Sequence, residues 1–276
     1  MKITTEMIKQ LRDRTGAGLM DAKEALSQNE GNLTAALDWL RLKGKAKAAS
    51  KADRTAAEGL VGMHIEDGVG VLVEVNSETD FAARNPEFAK FVVDVCKAAA
   101  TVDDIKSLMS AKFDGTSIEE MLTEKIAKLR ENIVIRNMKK VSGDSVHGYV
   151  HNQVIEGAGK IGTLVAARGL GNETGKKIAM HVAAARPISL SEQDAPSDRV
   201  ERERRVLTQM AEESGKPDNI MEKMVSGGLR KFFANETLLK QKYVVNPEIS
   251  VEDAVKQAGG EVTGFAYLKV GEAEEQ

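Results

Sequence analysis

The chain has 276 residues, and its 39 basic and 42 acidic residues leave a formal net charge of only −3. Its length predicts about two or three domains, and the balanced charge gives no reason to expect nucleic acid or an anionic membrane as the main partner. Because the sequence has one cysteine, no signal-peptide pattern and no apolar run long enough to span a membrane, we expect a cytoplasmic protein without a disulfide framework.

Residues 1–54 have the pattern of a three-helix module followed by a basic linker. Apolar residues recur at helical spacing in three short stretches, and Thr4 and Asn32 stand where helix N-caps are expected. Gly31 suits the left-handed position after the second helix. The stretch from Lys43 to Lys51 is rich in lysine and alanine without apolar periodicity, so we interpret it as a solvated linker or a frayed helical extension.

Residues 55–141 predict the first half of an α+β core. Two strands, Leu60 to Ile65 and Val69 to Val75, are joined by an Asp-Gly pair that marks a tight hairpin. A helix is expected from Glu87 to Ala100. The strand-like run from Asn132 to Arg136 would complete a small three-stranded sheet with helices on one face.

Residues 142–276 repeat that order of elements. Strands are predicted at Val146 to Val150 and at Ile161 to Ala167, a helix at Lys176 to Ala185, and a last strand at Glu261 to Val270. The likeness between the halves lies in the order of their elements and not in their letters. An internal duplication is therefore a hypothesis.

A helical hairpin is predicted within the second half, at residues 197–233. Its helices are Ser197 to Glu213 and Pro217 to Phe233; Gly215 suits the end of the first, and Pro217 suits the first position of the second. The apolar residues form only a narrow stripe, which is typical of a protruding antiparallel arm. Such an arm offers a surface to a partner.

The turn Thr79-Asp80-Phe81 is the strongest candidate site. It follows the strand that ends at Val75 and precedes a short helical stretch from Ala82 to Asn85. An acid and an aromatic residue that share one turn favour contact with a partner, because the acid requires water or a new counter-charge. The alternative is that Phe81 packs into its own core.

Other signals indicate no covalent chemistry. Residues 157–162 have the spacing of a dinucleotide-binding loop, but a strand is predicted where that site requires a helix. The four histidines show no metal-ligand spacing, so neither a metal, a cofactor nor an enzymatic site is expected. His151, predicted in a loop just beyond a strand, is a further candidate for binding. The lysine-rich linker has no interleaved aromatic residues, and stable binding of nucleic acid is not expected.

Three segments taken together resemble the bacterial elongation factor Ts family: LRDRTGAGLMDAK at 11–23, EVNSETDF at 74–81 and IAMHVAA at 178–184. The likeness continues to Gly264-Phe265 in the same order. It implies that the helical module is similar to a ubiquitin-associated (UBA-like) fold. It also implies a guanine nucleotide exchange factor that promotes loss of GDP from elongation factor Tu, so that GTP can enter, without covalent chemistry.

The resemblance also implies roles for single residues. The residues that match the family's intruding segment, which disturbs magnesium coordination in elongation factor Tu, are Thr79, Asp80, Phe81 and Ala82. The residues that match its docking contacts are Arg12, Leu19, Met20 and His151. Leu19 stands where many relatives have methionine, and since both are apolar and of similar volume the contact should survive.

Two other functions stay open on the sequence. One is a UBA-like adaptor that docks proteins without further effect, and the other is an RNA-associated ribosomal accessory protein that uses the lysine-rich linker. Neither explains the Asp80-Phe81 turn. The resemblance further makes the helical arm a candidate for self-association. Because residues 271–276 do not continue into the C-terminal helical module of some relatives, we expect a smaller partner interface than theirs.

Overall fold

The computed structural model describes residues 3–272. The helices are α1 (Thr5–Thr15), α2 (Leu19–Gln28), α3 (Leu33–Ala49), α4 (Asp80–Ala83), α5 (Pro86–Ala99), α6 (Ile105–Ser110), α7 (Ile118–Leu129), α8 (Asn172–Ala185), α9 (Ser197–Glu213), α10 (Asp218–Glu236) and α11 (Val251–Gln257). The strands are β1 (Glu58–Glu66), β2 (Val69–Ser77), β3 (Lys112–Phe113), β4 (Thr116–Ser117), β5 (Ile133–Ser142), β6 (Ser145–His151), β7 (Ala158–Gly159), β8 (Ile161–Arg168), β9 (Lys242–Tyr243), β10 (Asn246–Ser250) and β11 (Glu261–Lys269). This combination of helices and small antiparallel sheets confirms the predicted α+β class.

The first three helices form the predicted helical module. Thr4 Oγ1 accepts the Met7 N–H at 3.2 Å, and Asn32 Oδ1 accepts the Ala35 N–H at 3.1 Å, so both predicted caps are present. Gly31 adopts the predicted left-handed conformation, with φ of 81°. A small apolar core centred on Leu11 and other buried residues of the module holds the three helices together.

The lysine-rich stretch is a helical extension and not a solvated linker. All but its last two residues belong to α3, which continues to Ala49 because lysine and alanine are strong helix formers. This part of α3 packs on α7: Gly44 is buried, and a Cβ atom there would lie 3.6 Å from Thr123 Cγ2. Arg41 pairs with Glu120 at the same contact. The helical module is therefore docked against the core.

The first sheet has the order β5-β2-β1-β7, and all neighbouring strands are antiparallel. Asp67 and Gly68, which join β1 to β2, have φ values of 48° and 75°, as a two-residue hairpin turn requires. Helix α5 covers one face with buried Phe88 and Phe91. The predicted three strands and their helical layer are confirmed, while β7 is an addition that the sequence did not indicate.

The second sheet has the order β11-β8-β6 and carries α8 on one face. In both sheets the second strand of the hairpin is central and the late strand pairs beside it. The sheets meet through the faces that the helices leave free, where Val61, Leu72, Leu164 and Leu268 are buried. The halves therefore share a core layer. The boundaries near residues 54 and 141, like the internal duplication, stay predictions.

The arm of α9 and α10 is present, and Gly215 in its connection is left-handed with φ of 63°. Two details differ from the prediction: Pro217 lies just before α10 and not at its first position, and α10 continues to Glu236. Met210 of α9 and Ile220 of α10 are exposed, because two helices alone cannot cover every apolar residue that they carry. Within residues 3–272, no helix is long and apolar enough to cross a membrane.

Candidate partner interface

Helix α4 presents Asp80 and Phe81 at the end of the first hairpin. Thr79 caps this helix, and its Oγ1 accepts the Ala82 N–H at 3.3 Å. Ala82 and Ala83 are buried and fix the inner side of the turn, whereas the Phe81 side chain is 82% exposed. The alternative that Phe81 packs into its own core is therefore wrong. An aromatic ring held in water on an anchored turn is suited to insertion into a partner.

Hydrogen bonds from a distant segment hold the backbone of this turn. The Glu131 carboxylate accepts the Thr79 N–H at 3.1 Å and the Thr79 hydroxyl at 2.5 Å. In the opposite direction, Glu78 Oε1 accepts the Asn132 N–H at 2.6 Å. Ser77 Oγ also donates to the Thr79 carbonyl at 3.0 Å. The backbone of the turn is thus fixed, although the Phe81 ring itself is exposed to solvent.

The negative charge of Asp80 takes part in an exposed ion pair. The Asp80 carboxylate lies 3.2 Å from an Arg84 guanidinium nitrogen one helical turn later, and both side chains are well exposed. Exposed pairs of this kind contribute little to stability, because solvent screens them and both side chains lose freedom. Asp80 can therefore exchange Arg84 for a partner's cation or hydrogen-bond donor at small cost.

The predicted docking residues of the helical module share one corner. Arg12 Nε donates to the Ala17 carbonyl at 3.3 Å, across the connection between α1 and α2. Leu19 and Met20 occupy the first turn of α2 with exposed fractions of 55% and 73%. Two exposed apolar side chains beside an arginine are typical of a protein-binding surface.

His151 lies on a different element from the other candidates. It is the last residue of β6, so the prediction that it follows the strand in a loop is wrong. Its side chain is exposed, and Nδ1 lies 3.0 Å from the Tyr149 hydroxyl. The structure thus brings Thr79–Ala82 onto one turn and the Arg12 group onto another, with His151 on the second sheet.

Sequence reasoning missed the residues that support the candidate turn. Glu131 and Asn132 are 52 and more residues away from Thr79 and Glu78, and no motif links the two segments. Two exposed valines between β9 and β10, Val244 and Val245, were also missed. The sequence signal that could have indicated these two valines is an apolar pair directly before Asn246-Pro247.

The single cysteine of the chain is free and buried. Burial raises the pKa of the Cys96 thiol to about 12, so this group, on the face of α5 that packs against β1, stays protonated. In residues 3–272, no group of three His, Cys, Asp or Glu side chains is placed to hold a metal ion.

A family model described as elongation factor TS matches residues 78–272. The chain belongs to the elongation factor Ts family. It is 52% identical to elongation factor Ts of Dinoroseobacter shibae over all of its length and 95% of that relative. It is also 52% identical to the family member of Ruegeria sp. (strain TM1040), with 99% of this chain and 94% of the relative covered. Elongation factor Ts of Paracoccus denitrificans is 49% identical over 100% and 95% of the two chains.

These matches confirm the resemblance stated from the three sequence segments. The family model includes the Asp80-Phe81 turn, the first half of the core from residue 78 onward and the second half up to residue 272, and the full-length relatives extend the likeness over the first hairpin and the helical module. Membership of the elongation factor Ts family makes this protein a translation elongation factor, which acts in protein biosynthesis.

Proposed function

We propose that this protein is a guanine nucleotide exchange factor for elongation factor Tu and that its Asp80-Phe81 turn drives the release of GDP. Membership of the elongation factor Ts family supports the class of function. The observation that carries the assignment of the site is the 82% exposure of Phe81 on a turn whose backbone is held by Glu131. No covalent step and no cofactor are required.

The exposed ring supplies binding energy that is available only in the complex. Removing a phenylalanine side chain from water is worth about 1.5–3 kcal/mol. In the complex this energy separates the switch elements of elongation factor Tu. Their movement disturbs the Mg²⁺ ion that bridges elongation factor Tu and the GDP phosphates. Accelerating release about 1000-fold requires a barrier lower by only about 4 kcal/mol.

The remaining candidates would hold the partner while the turn acts. Arg12, Leu19 and Met20 offer an apolar corner with one cation on the helical module, and His151 offers a polar contact from the second sheet. By linkage, the factor must bind nucleotide-free elongation factor Tu more tightly than the GDP-bound form. Nucleotide therefore weakens the complex by the same factor. We also propose a cytoplasmic location, because elongation takes place there.

The test is the release of fluorescent GDP from elongation factor Tu in the presence of Mg²⁺. We expect the natural chain to accelerate release and the variant with both Asp80→Ala and Phe81→Ala to lose most of the acceleration. The matched control is Leu42→Ala on α3, which removes an apolar side chain that is 69% exposed and lies outside the proposed contacts. Equal acceleration by the natural chain and the double variant would contradict the role of the turn.

The two alternative functions make different predictions, one for GDP release and one for RNA binding. A docking adaptor would bind elongation factor Tu without changing GDP release and would tolerate loss of Phe81. An RNA-associated protein would bind RNA with an affinity that falls steeply with salt. Its proposed cations are partly neutralised, because Lys43 pairs with Glu24 at 2.6 Å and Lys47 with Asp21 at 3.2 Å. Self-association through the arm stays a prediction, which sedimentation of the complex would test.

A further inference from the structure

Two segments far apart in the chain exchange hydrogen bonds beneath the exposed turn. The Glu131 carboxylate accepts both the N–H and the hydroxyl of Thr79, while the Glu78 carboxylate accepts the N–H of Asn132. Each segment thus supplies one carboxylate and one backbone N–H. Hydrogen bonds in which the acceptor is charged are about twice as strong as neutral ones.

Helix α4 depends on this support because it has only four residues. A single helical turn is unstable alone, since nucleation fixes several residues in return for one hydrogen bond. Its side-chain cap is the Thr79 hydroxyl, whose proton is directed to Glu131 and whose lone pair accepts the Ala82 N–H. Glu131 therefore fixes the rotation of that hydroxyl and the direction in which the first turn of α4 leaves β2.

The same support reaches the connection from the helical module. The Asn132 side chain is buried, and its Nδ2 donates to the carbonyls of Ala52 and Arg54 at 3.3 and 2.7 Å. Residues 52–54 connect α3 to the first sheet, and Arg54 also lies 3.5 Å from Glu78. The Phe81 turn and the base of the docking module are thus tied to one pair of residues.

We propose that Glu131 is a positioning residue for nucleotide exchange: it holds the Asp80-Phe81 turn in the direction of insertion, and Asn132 beside it fixes that turn relative to the helical module. The inference rests on the function proposed above and adds to it a residue that does not touch the partner's nucleotide. Glu131 acts through Thr79, and its contribution requires that Asp80 and Phe81 be present.

The test is a double-mutant cycle in the GDP-release assay with the full chain and elongation factor Tu. One arm adds Glu131→Gln to the natural chain, and the other adds it to the variant with Asp80→Ala and Phe81→Ala. In the natural chain we expect the maximal rate of release to fall on the order of tenfold, with little change in the factor concentration that gives half of that rate. In the double-variant background we expect no further loss.

Asp253→Asn is the matched control. The Asp253 carboxylate accepts the N–H and the hydroxyl of Ser250 at 3.2 and 2.6 Å, the same pair of groups that Glu131 accepts from Thr79, but at α11. We expect this variant to leave the rate unchanged. Thr79→Val, which removes the oriented hydroxyl at nearly constant volume, should reproduce the loss, and thermal unfolding verifies that each variant is folded.

The outcomes separate the positioning role from the proposed function. If the double variant loses its acceleration while Glu131→Gln keeps the natural rate, only the positioning role is overturned. An equal loss from Glu131→Gln in both backgrounds also overturns it, because the residue would then act independently of the turn. If the natural chain does not accelerate release at all, the proposed function fails and the positioning role fails with it.

Discussion

Mild acid should destabilise the second half of the molecule through His181. This side chain is fully buried; its Nε2 lies 2.9 Å from Gln241 Oε1, and its Nδ1 accepts the Val244 N–H at 3.1 Å. The Gln241 amide nitrogen donates to the Ala185 and Asn235 carbonyls, so the Gln241 oxygen must be the acceptor. The network therefore fixes a neutral imidazole with its proton on Nε2.

In the folded chain, a proton on His181 Nδ1 would point at the Val244 N–H, so that two N–H donors would face each other within a buried site. Burial lowers the pKa of His181 below its usual 6.5, although the hydrogen bond to Gln241 opposes the shift. The neighbouring Tyr243 adds no charge, because burial raises its pKa. Between the lowered pKa and pH 6.5 the unfolded chain binds a proton that the folded chain does not. The contribution of His181 to the free energy of unfolding is therefore fully present above pH 6.5. Below pH 6.5 it falls by up to about 1.4 kcal/mol per pH unit.

The assay is urea unfolding of the natural chain and of His181→Gln at several values between about pH 5 and pH 7.5. The variant will be less stable at every pH, but its free energy of unfolding should fall less steeply with acid. All other titrating groups are shared, so the difference between the two slopes reports His181. Identical slopes, or an imidazole that titrates normally by NMR in the folded chain, would refute this reasoning.

Two further changes test tertiary contacts of the core, one between the halves and one between β1 and α5. Glu74→Ala removes the buried acceptor of the Gly271 N–H, which lies 2.8 Å away, and should lower the free energy of unfolding by about 3 kcal/mol; Glu74→Gln should cost less, and proteolysis of the C-terminal end would report the release. Gly62→Ala would place a Cβ 2.6 Å from Cys96 Sγ and 2.8 Å from Val92 Cγ1, so urea unfolding should show a loss of about 1–3 kcal/mol, and an unchanged midpoint would disprove the close packing.

Much of the fold could be predicted because its signals lie within a few residues of the structures that they cause. Thr4 and Asn32 cap helices that begin at the next residue, and Asp67-Gly68 reverses the chain between adjacent strands. The lysine-rich end of α3 was harder to interpret. Its sequence allows a helical extension or a solvated linker, and contact with α7 adds to the helix propensity of lysine and alanine to favour the helix.

The candidate site divides in the same way. The letters of the Asp80-Phe81 turn, together with the family segments, were enough to select it, but they could not determine whether Phe81 is buried. That depends on how Ala82 and Ala83 pack beneath the turn. Glu131 was not predictable, because a hydrogen bond over 52 residues leaves no periodic pattern in the sequence.

The sequence by itself therefore determined the types and order of the elements, the α+β class and the segments that identify the family. These follow from propensities, caps and turns, which act over a few residues. The tertiary structure alone decided which faces of the sheets meet, that Phe81 remains in water, and that Glu131 and Asn132 hold the turn beside the connection from the helical module. Those features depend on contacts between distant segments, whose geometry exists only after the chain has folded.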